Sequence, residues 1–544
     1  MISPLQDARL NYRPVPPAIF RNINNIEVSL GEQTSASSDS EALRDLFPQT
    51  FGQPIATFSL AEKQVDIHPL NVGVVLSGGQ APGGHNVIAG LFDALKTMNP
   101  DNVLYGFLNG PDGIIKNNTI KISEKFLAPY RNQGGFDMIG SSRTKIESPE
   151  QFEASKKAVT DLNLDGIVII GGDDSNTNAA MLTEYFKSEG VATSVVGVPK
   201  TIDGDLKNEY IEASFGFDTA CKVYSELVGN IARDSMSAKK YTFFIRLMGR
   251  SASHITLECA LQTHPNVTII GEEIAEKNST LADITSEIVD VLCRRANAGK
   301  NYGVILVPEG LIEFIPEFRT LIDELNDILA STEDDIPNKI SYVSRKMGPK
   351  ALACFKTIPE EIQKQLLFDR DPHGNVQVSR IETEKLLIAT VKKELAKRKK
   401  DGTFSGKFNA QSSFFGYEGR SGLPSNFDST YCYSLGYTAA TLVRSGLSGY
   451  MSCIRNLAKS SSEWEAMGIP ITMMMDMEHR QGSSKPVIRK ALVDLKGRIF
   501  ESFKESRNSW AIDDTYRYPG PIQFFGDNAV TNISTISLGL ESAQ

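Results

Sequence analysis

Three segments that end apolar runs carry residues able to handle phosphate: LSGGQAPGGHN (76–86), GGDDS (171–175) and VPKTIDGD (198–205). The glycines of the first, among them Gly78 and Gly79, let backbone N–H groups approach an anion, and a helix opening at Asn86 or Val87 would add its dipole. The pattern is neither GxGxxG nor a Walker loop, and His85, with no ligand-spaced partner, reads as a turn residue rather than a metal ligand. GGDDS sets two carboxylates where phosphate would dock, so they must either hold a cation against the ligand or reject part of it. Asp173 suits magnesium, which takes one or two carboxylates and completes its shell with phosphate oxygens. Asp174 or Ser175 could cap the next helix. In VPKTIDGD, Lys200 offers a cation and Asp203 a proton acceptor, as phosphoryl transfer to a hydroxyl requires, with Thr201 as a hydroxyl donor.

These segments need a scaffold that brings strand ends together. Short β-branched runs (NVGVVLSGG, DGIVIIGG, SVVGVPK, YTFFIRLMG, YGVILVPEG) alternate with helical stretches, which predicts α/β architecture with parallel sheets covered on both faces. In such sheets ligands bind outside the carboxyl ends of the strands. A length of 544 residues predicts two or three domains. Residues 1–66 are Pro- and Ser-rich and read as an arm lying on the body. Residues 311–406 read as a helical insertion. Its KKELAKRKK cluster reads as a solvated helix end, and MMMDM (473–477) as core packing. With a formal charge of −9 there is no global attraction for nucleic acid or an anionic membrane. The six cysteines are dispersed without a CxxC pair, and neither a signal sequence nor a membrane-length apolar run is present, so a cytoplasmic protein is expected.

In order, SGG, GGDDS, PKTIDGD, MGR (248–250), PEG (308–310) and GYEGRS (416–421) closely resemble the phosphofructokinase family over residues 70–480, above all its long-chain, pyrophosphate-dependent branch. The resemblance implies two doubly wound, Rossmann-like domains facing a cleft: a donor domain at 67–240 with a return segment near 430–480, and a sugar-phosphate domain at 241–430. Residues 481–544 would pack on the body. It implies Gly78 and Gly79 at the donor phosphate, Asp173 on Mg2+, Arg143 at the transferring phosphoryl group and Asp203 as the base. Thr201, Ile202, Met248, Gly249, Arg250 and Glu309 would line the fructose 6-phosphate site. Tyr417, Glu418, Gly419 and Arg420 would grip its 6-phosphate. Lys240 and Tyr241 would reach a neighbouring subunit's sugar site, implying a homodimer, although Tyr241 stands where short forms carry an arginine.

ATP-using relatives usually have glycine at the positions of Asp174 and Lys200. A carboxylate at 174 would repel a nucleotide's α-phosphate, which pyrophosphate lacks, and Lys200 can reach the outer phosphoryl oxygens. The implied reaction is therefore reversible phosphorylation of fructose 6-phosphate at its 1-hydroxyl by pyrophosphate. An ATP-dependent kinase, a non-catalytic regulatory subunit and a dinucleotide-binding oxidoreductase are the rival readings. Asp174 with Lys200, the intact Asp173, Asp203 and Arg250 set, and the missing GxGxxG argue against them in turn.

Overall fold

The computed structural model describes residues 2–62, 68–330, 338–370, 375–480 and 483–543. The chain divides into two compact units: Met1–Ala220 with Tyr417–Ala491 and Ile522–Gln544, and Cys221–Gly416 with Leu492–Pro521. The expected border at 66/67 lies outside the described residues, as do 331–337 and 371–374 of the expected helical insertion.

A 10-stranded sheet organises the first unit. Asn71–Ser77, Gly166–Gly171 and Ser194–Pro199 run parallel side by side at its centre and are almost wholly buried, which is why they are continuous apolar runs rather than alternating ones. From Asn71–Ser77 the chain passes to Val103–Phe107 on one side, then returns to Gly166–Gly171 on the other. Chain direction across the sheet thus reverses at Asn71–Ser77, and a crevice opens where the loops diverge. The SGG and GGDDS loops flank that point. Tyr450–Arg455 continues the parallel order beyond Ser194–Pro199. The N-terminal residues, expected only to lie on the body, supply an antiparallel pair, Ile26–Gln33 and Pro54–Leu60, that extends the sheet through Glu465–Pro470. Their apolar runs are short and flanked by Pro and Ser, which masks them in the sequence.

Two helices of this unit cross at contact distance, Gly84–Met98 after the SGG loop and Asn426–Arg444 after GYEGRS. A Cβ on Gly90 would lie 2.1 Å from the Tyr433 carbonyl oxygen, and one on Gly436 would lie 2.3 Å from that of Val87. Only glycine fits either place. Within the MMMDM run, Met474 and Met475 are buried as expected.

The second unit holds a four-stranded parallel sheet in the order Val267–Thr268, Gly303–Pro308, Thr242–Leu247, Ala410–Phe415. Its large core also takes in the predicted helical segment, where Leu321, Phe355, Leu366 and Leu387 are buried. The basic cluster closes the helix Thr383–Lys400, with Arg398 paired to Asp290 and Glu394. The six cysteines are free thiols.

Candidate active site

The SGG loop is built around a left-handed glycine. Gly78 has φ +84°, and a Cβ there would meet the Lys200 ammonium at 3.3 Å, so the missing side chain is what lets Lys200 come up against the loop backbone. The loop is fixed from behind: Gly78 N–H donates to the Ser142 carbonyl (2.8 Å), and the Ser141 hydroxyl donates to the Gly78 carbonyl (3.0 Å). A Cβ on Gly79 would lie 2.5 Å from the Arg420 guanidinium and 3.6 Å from that of Arg143. Gly78, Gly79, Arg143, Lys200 and Arg420 therefore converge, three cations around one glycine pair. The helix after this loop starts at Gly84, earlier than the sequence suggests, because Gly83 at φ +103° makes the turn. His85 lies buried in its first turn, where Nε2 accepts from Met138 N–H at 3.1 Å.

GGDDS also enters its helix early. The N-cap is Gly172, and both aspartates occupy the first turn of Asp173–Ser188, favoured there by the helix dipole. Neither Asp174 nor Ser175 is the cap. Ser175 instead donates to Ser77 Oγ (2.8 Å), which ties this helix to the neighbouring strand end. Asn176 Nδ2 fastens the turn by donating to the carbonyls of Gly171 (2.7 Å) and Gly172 (2.9 Å). Each aspartate faces a lysine that no motif contains: Asp174 Oδ1 lies 3.1 Å from Lys145 Nζ, and Asp173 Oδ2 lies 3.7 Å from Lys490 Nζ. Lys145 follows Arg143 by two positions in GSSRTK, a faint signal. Lys490 has none.

The third loop brings a carboxylate and an ammonium to the same edge. Thr201 Oγ1 accepts from Asp203 N–H (3.1 Å), so this hydroxyl shapes the turn that aims the aspartate. Asp203 Oδ1 is buried without a hydrogen-bond partner. Ile202 is 1% exposed and serves the core, so any part it plays toward substrate falls to its backbone. Lys200 is 7% exposed, and its amine is pushed down to about 8, chiefly by burial, then by the nearby Arg420; Asp173 and Asp203 act in the opposite direction. Phe136 covers it, with the ammonium 5.7 Å from the ring centroid.

In the second unit, Met248, Gly249 and Arg250 follow the strand Thr242–Leu247, and Glu309 follows its parallel neighbour Gly303–Pro308. Gly249 N–H donates to Glu309 Oε2 at 3.0 Å, so the two strand ends form one structure. Gly310 is obligatory, since a Cβ would lie 1.7 Å from the Arg250 carbonyl oxygen. Met248 is buried, while the Arg250 side chain is exposed. Lys240 and Tyr241 precede the same strand, roughly 20 Å from its far end at 3.3 Å per residue, and are not gathered with the other four. Tyr417, Glu418, Gly419 and Arg420 form a single helical turn of the first unit, with Tyr417 71% exposed.

The phosphofructokinase family model matches residues 71–443. The chain belongs to the phosphofructokinase family. Among its relatives, the pyrophosphate--fructose 6-phosphate 1-phosphotransferase of Porphyromonas gingivalis is 51% identical over 544 residues, covering 99% of each chain. The beta subunit of the Solanum tuberosum protein of that name is 51% identical over 549 residues, 99% of this chain and 95% of that one. The crystal structure of a pyrophosphate-dependent phosphofructokinase from Nitrosospira multiformis superposes with a TM-score of 0.54 at 16% identity, covering 86% of this chain and 96% of that one, and so shares the fold.

As in other phosphotransferases, a divalent cation is the expected helper of this phosphofructokinase family member, and its residues suit magnesium. Asp173 offers a carboxylate that is one-third exposed (34%), with the Lys490 ammonium 3.7 Å away. No cluster of three or more His, Cys, Asp or Glu residues able to hold a metal occurs among the described residues. Magnesium binds few carboxylates and fills its shell with water and phosphate oxygens, which an aspartate beside a phosphate loop suits. No helix among the described residues is long and apolar enough to cross a membrane.

Proposed function

We propose that this chain transfers a phosphoryl group between pyrophosphate and the 1-hydroxyl of fructose 6-phosphate, giving fructose 1,6-bisphosphate and phosphate, reversibly. The observation that carries this reading is the end-to-end match to relatives bearing that activity in their name. The geometry supports a mechanism. Backbone at Gly78 and Gly79 receives the donor, and Lys200 and Arg143 face its phosphoryl oxygens. Asp203, its Oδ1 unpartnered, takes the proton of the attacking hydroxyl as that oxygen bonds to phosphorus and the bridging P–O bond breaks. Magnesium held by Asp173 would supply charge neutralisation across the two phosphoryl groups. Lys200 and Arg143 balance charge on the moving group in the same way.

Asp174, in the first turn and paired to Lys145, sets negative charge where a nucleotide's α-phosphate would lie, and so selects pyrophosphate. Met248, Gly249, Arg250 and Glu309, with Thr201 and the Ile202 backbone, hold the sugar. Tyr417, Glu418, Gly419 and Arg420 serve the 6-phosphate, Arg420 by swinging its long side chain away from Gly79. Lys240 and Tyr241, at the wrong end of their strand for their own unit's MGR turn, act on the sugar site of a second copy, which makes the working form a homodimer. The reaction belongs to the cytoplasm, where free thiols such as these six persist. A coupled assay with fructose 6-phosphate and magnesium, run separately with pyrophosphate and with ATP, tests the reading. Turnover with pyrophosphate is expected; turnover with ATP alone would overturn it.

A further inference from the structure

Residues 488–491 are tied by their backbone to two parts of the donor site. Ile488 N–H donates to Thr177 Oγ1 (3.1 Å) on the helix that begins with Asp173. Ala491 N–H donates to the Asp205 carbonyl (2.7 Å) in the loop that carries Asp203, and Arg489 N–H donates to the Met474 carbonyl (3.0 Å). Between these anchors Lys490 extends its ammonium to 3.7 Å from Asp173 Oδ2, with 31% of the side chain exposed. The residue lies beyond the part of the chain that the family model matches, 71–443.

We propose that Lys490 is a donor-binding residue that exchanges partners: it neutralises Asp173 until magnesium pyrophosphate arrives, then pairs with the donor's phosphoryl oxygens. The inference rests on the reading of pyrophosphate as donor. A lysine–carboxylate contact of this length, with both side chains about one-third exposed, contributes about 0–1 kcal/mol and is cheaply given up. With a divalent cation held by Asp173, the Lys490 ammonium would lose its partner, while the backbone anchors keep the base of the side chain beside the site. Phosphoryl oxygens, which form short charge-assisted bonds with ammonium groups, are then the strongest acceptors within its reach.

The test uses full-length protein and three forms: parent, Lys490→Met, which keeps the stem, and Lys490→Arg. Parent turnover with pyrophosphate is established first; its absence would sink the donor reading itself, separately from Lys490. Steady-state kinetics give kcat and both KM values, and calorimetry gives the affinity for imidodiphosphate, a non-transferring analogue, with magnesium. Lys490→Met is expected to raise KM for pyrophosphate and weaken imidodiphosphate by roughly tenfold to a hundredfold, with KM for fructose 6-phosphate within about twofold. Lys490→Arg should recover most of the loss. An unchanged pyrophosphate KM, a loss seated in kcat, or an equal loss for both substrates would mark Lys490 as a strut for the Asp205 loop and overturn the proposal.

Discussion

The environment of Lys200 is at odds with its charge, and the conflict has a measurable size. Burial moves its amine from 10.5 to about 8, equivalent to roughly 3 kcal/mol against the ammonium in the folded protein. Because the folded value lies below the unfolded one, the protein is penalised most below pH 8, and the penalty fades as pH rises toward 10.5. Lys200→Met should therefore raise Tm at pH 7 by a few degrees, with the gain vanishing near pH 10.5, while pyrophosphate use collapses. In the parent, kcat/KM for pyrophosphate should be level below pH 8 and fall about tenfold by pH 9, as the free protein loses the proton. Pyrophosphate itself titrates, so the same profile is recorded for Lys200→Arg, whose cation persists across this range; its alkaline limb should disappear even if its plateau is lower. If Lys200→Arg kept the same limb, or Lys200→Met melted lower than the parent at pH 7, the charge conflict assigned to this site would be wrong.

Other outcomes follow from single contacts. Asp203→Ser should lower kcat by about 10² to 10⁴ in both directions with fructose 6-phosphate affinity nearly kept, checked by steady-state kinetics and ligand binding. Asp174→Gly removes the carboxylate 3.1 Å from Lys145 and should bring detectable ATP-dependent turnover; no gain with ATP would move donor choice elsewhere. Arg420→Ala should raise KM for fructose 6-phosphate roughly tenfold or more, and an equal effect on pyrophosphate would keep the guanidinium on the donor side, against Gly79. Gly436→Ala, which drives a Cβ to 2.3 Å from the Val87 carbonyl oxygen, should cost about 1–3 kcal/mol of stability, read as a lowered denaturation midpoint.

Where the sequence was legible, one physical property fixed both residue type and position. Strands such as Gly166–Gly171 and Ser194–Pro199 are buried on both faces and so appear as uninterrupted apolar runs. Gly78 is legible because its positive φ and its closeness to Lys200 admit no other residue. The sequence places these helix starts late, at Asn86 or Val87 for Gly84 and with a cap at Asp174 or Ser175 for Gly172, because Gly83 and Gly172 make those turns with backbone alone and leave no capping side chain to notice. The N-terminal strands were hidden by their flanks. The lysines facing Asp173 and Asp174 were hidden for a different reason: Lys490 meets Asp173 only through tertiary folding, across more than half the chain.

The crossed helices Gly84–Met98 and Asn426–Arg444 have a mechanical consequence. Each begins just after a segment assigned to phosphate, the SGG loop and the GYEGRS turn, and their glycine crossing leaves no room for one to slide or roll on the other. Gly79 and the backbone that carries Arg420 are thus two points on one stiff frame, spaced as in a caliper whose jaws are locked. Within this unit the frame can act as a fixed gauge of anion size, and adaptation to substrate falls to side chains and to the segments that are merely hydrogen-bonded onto it.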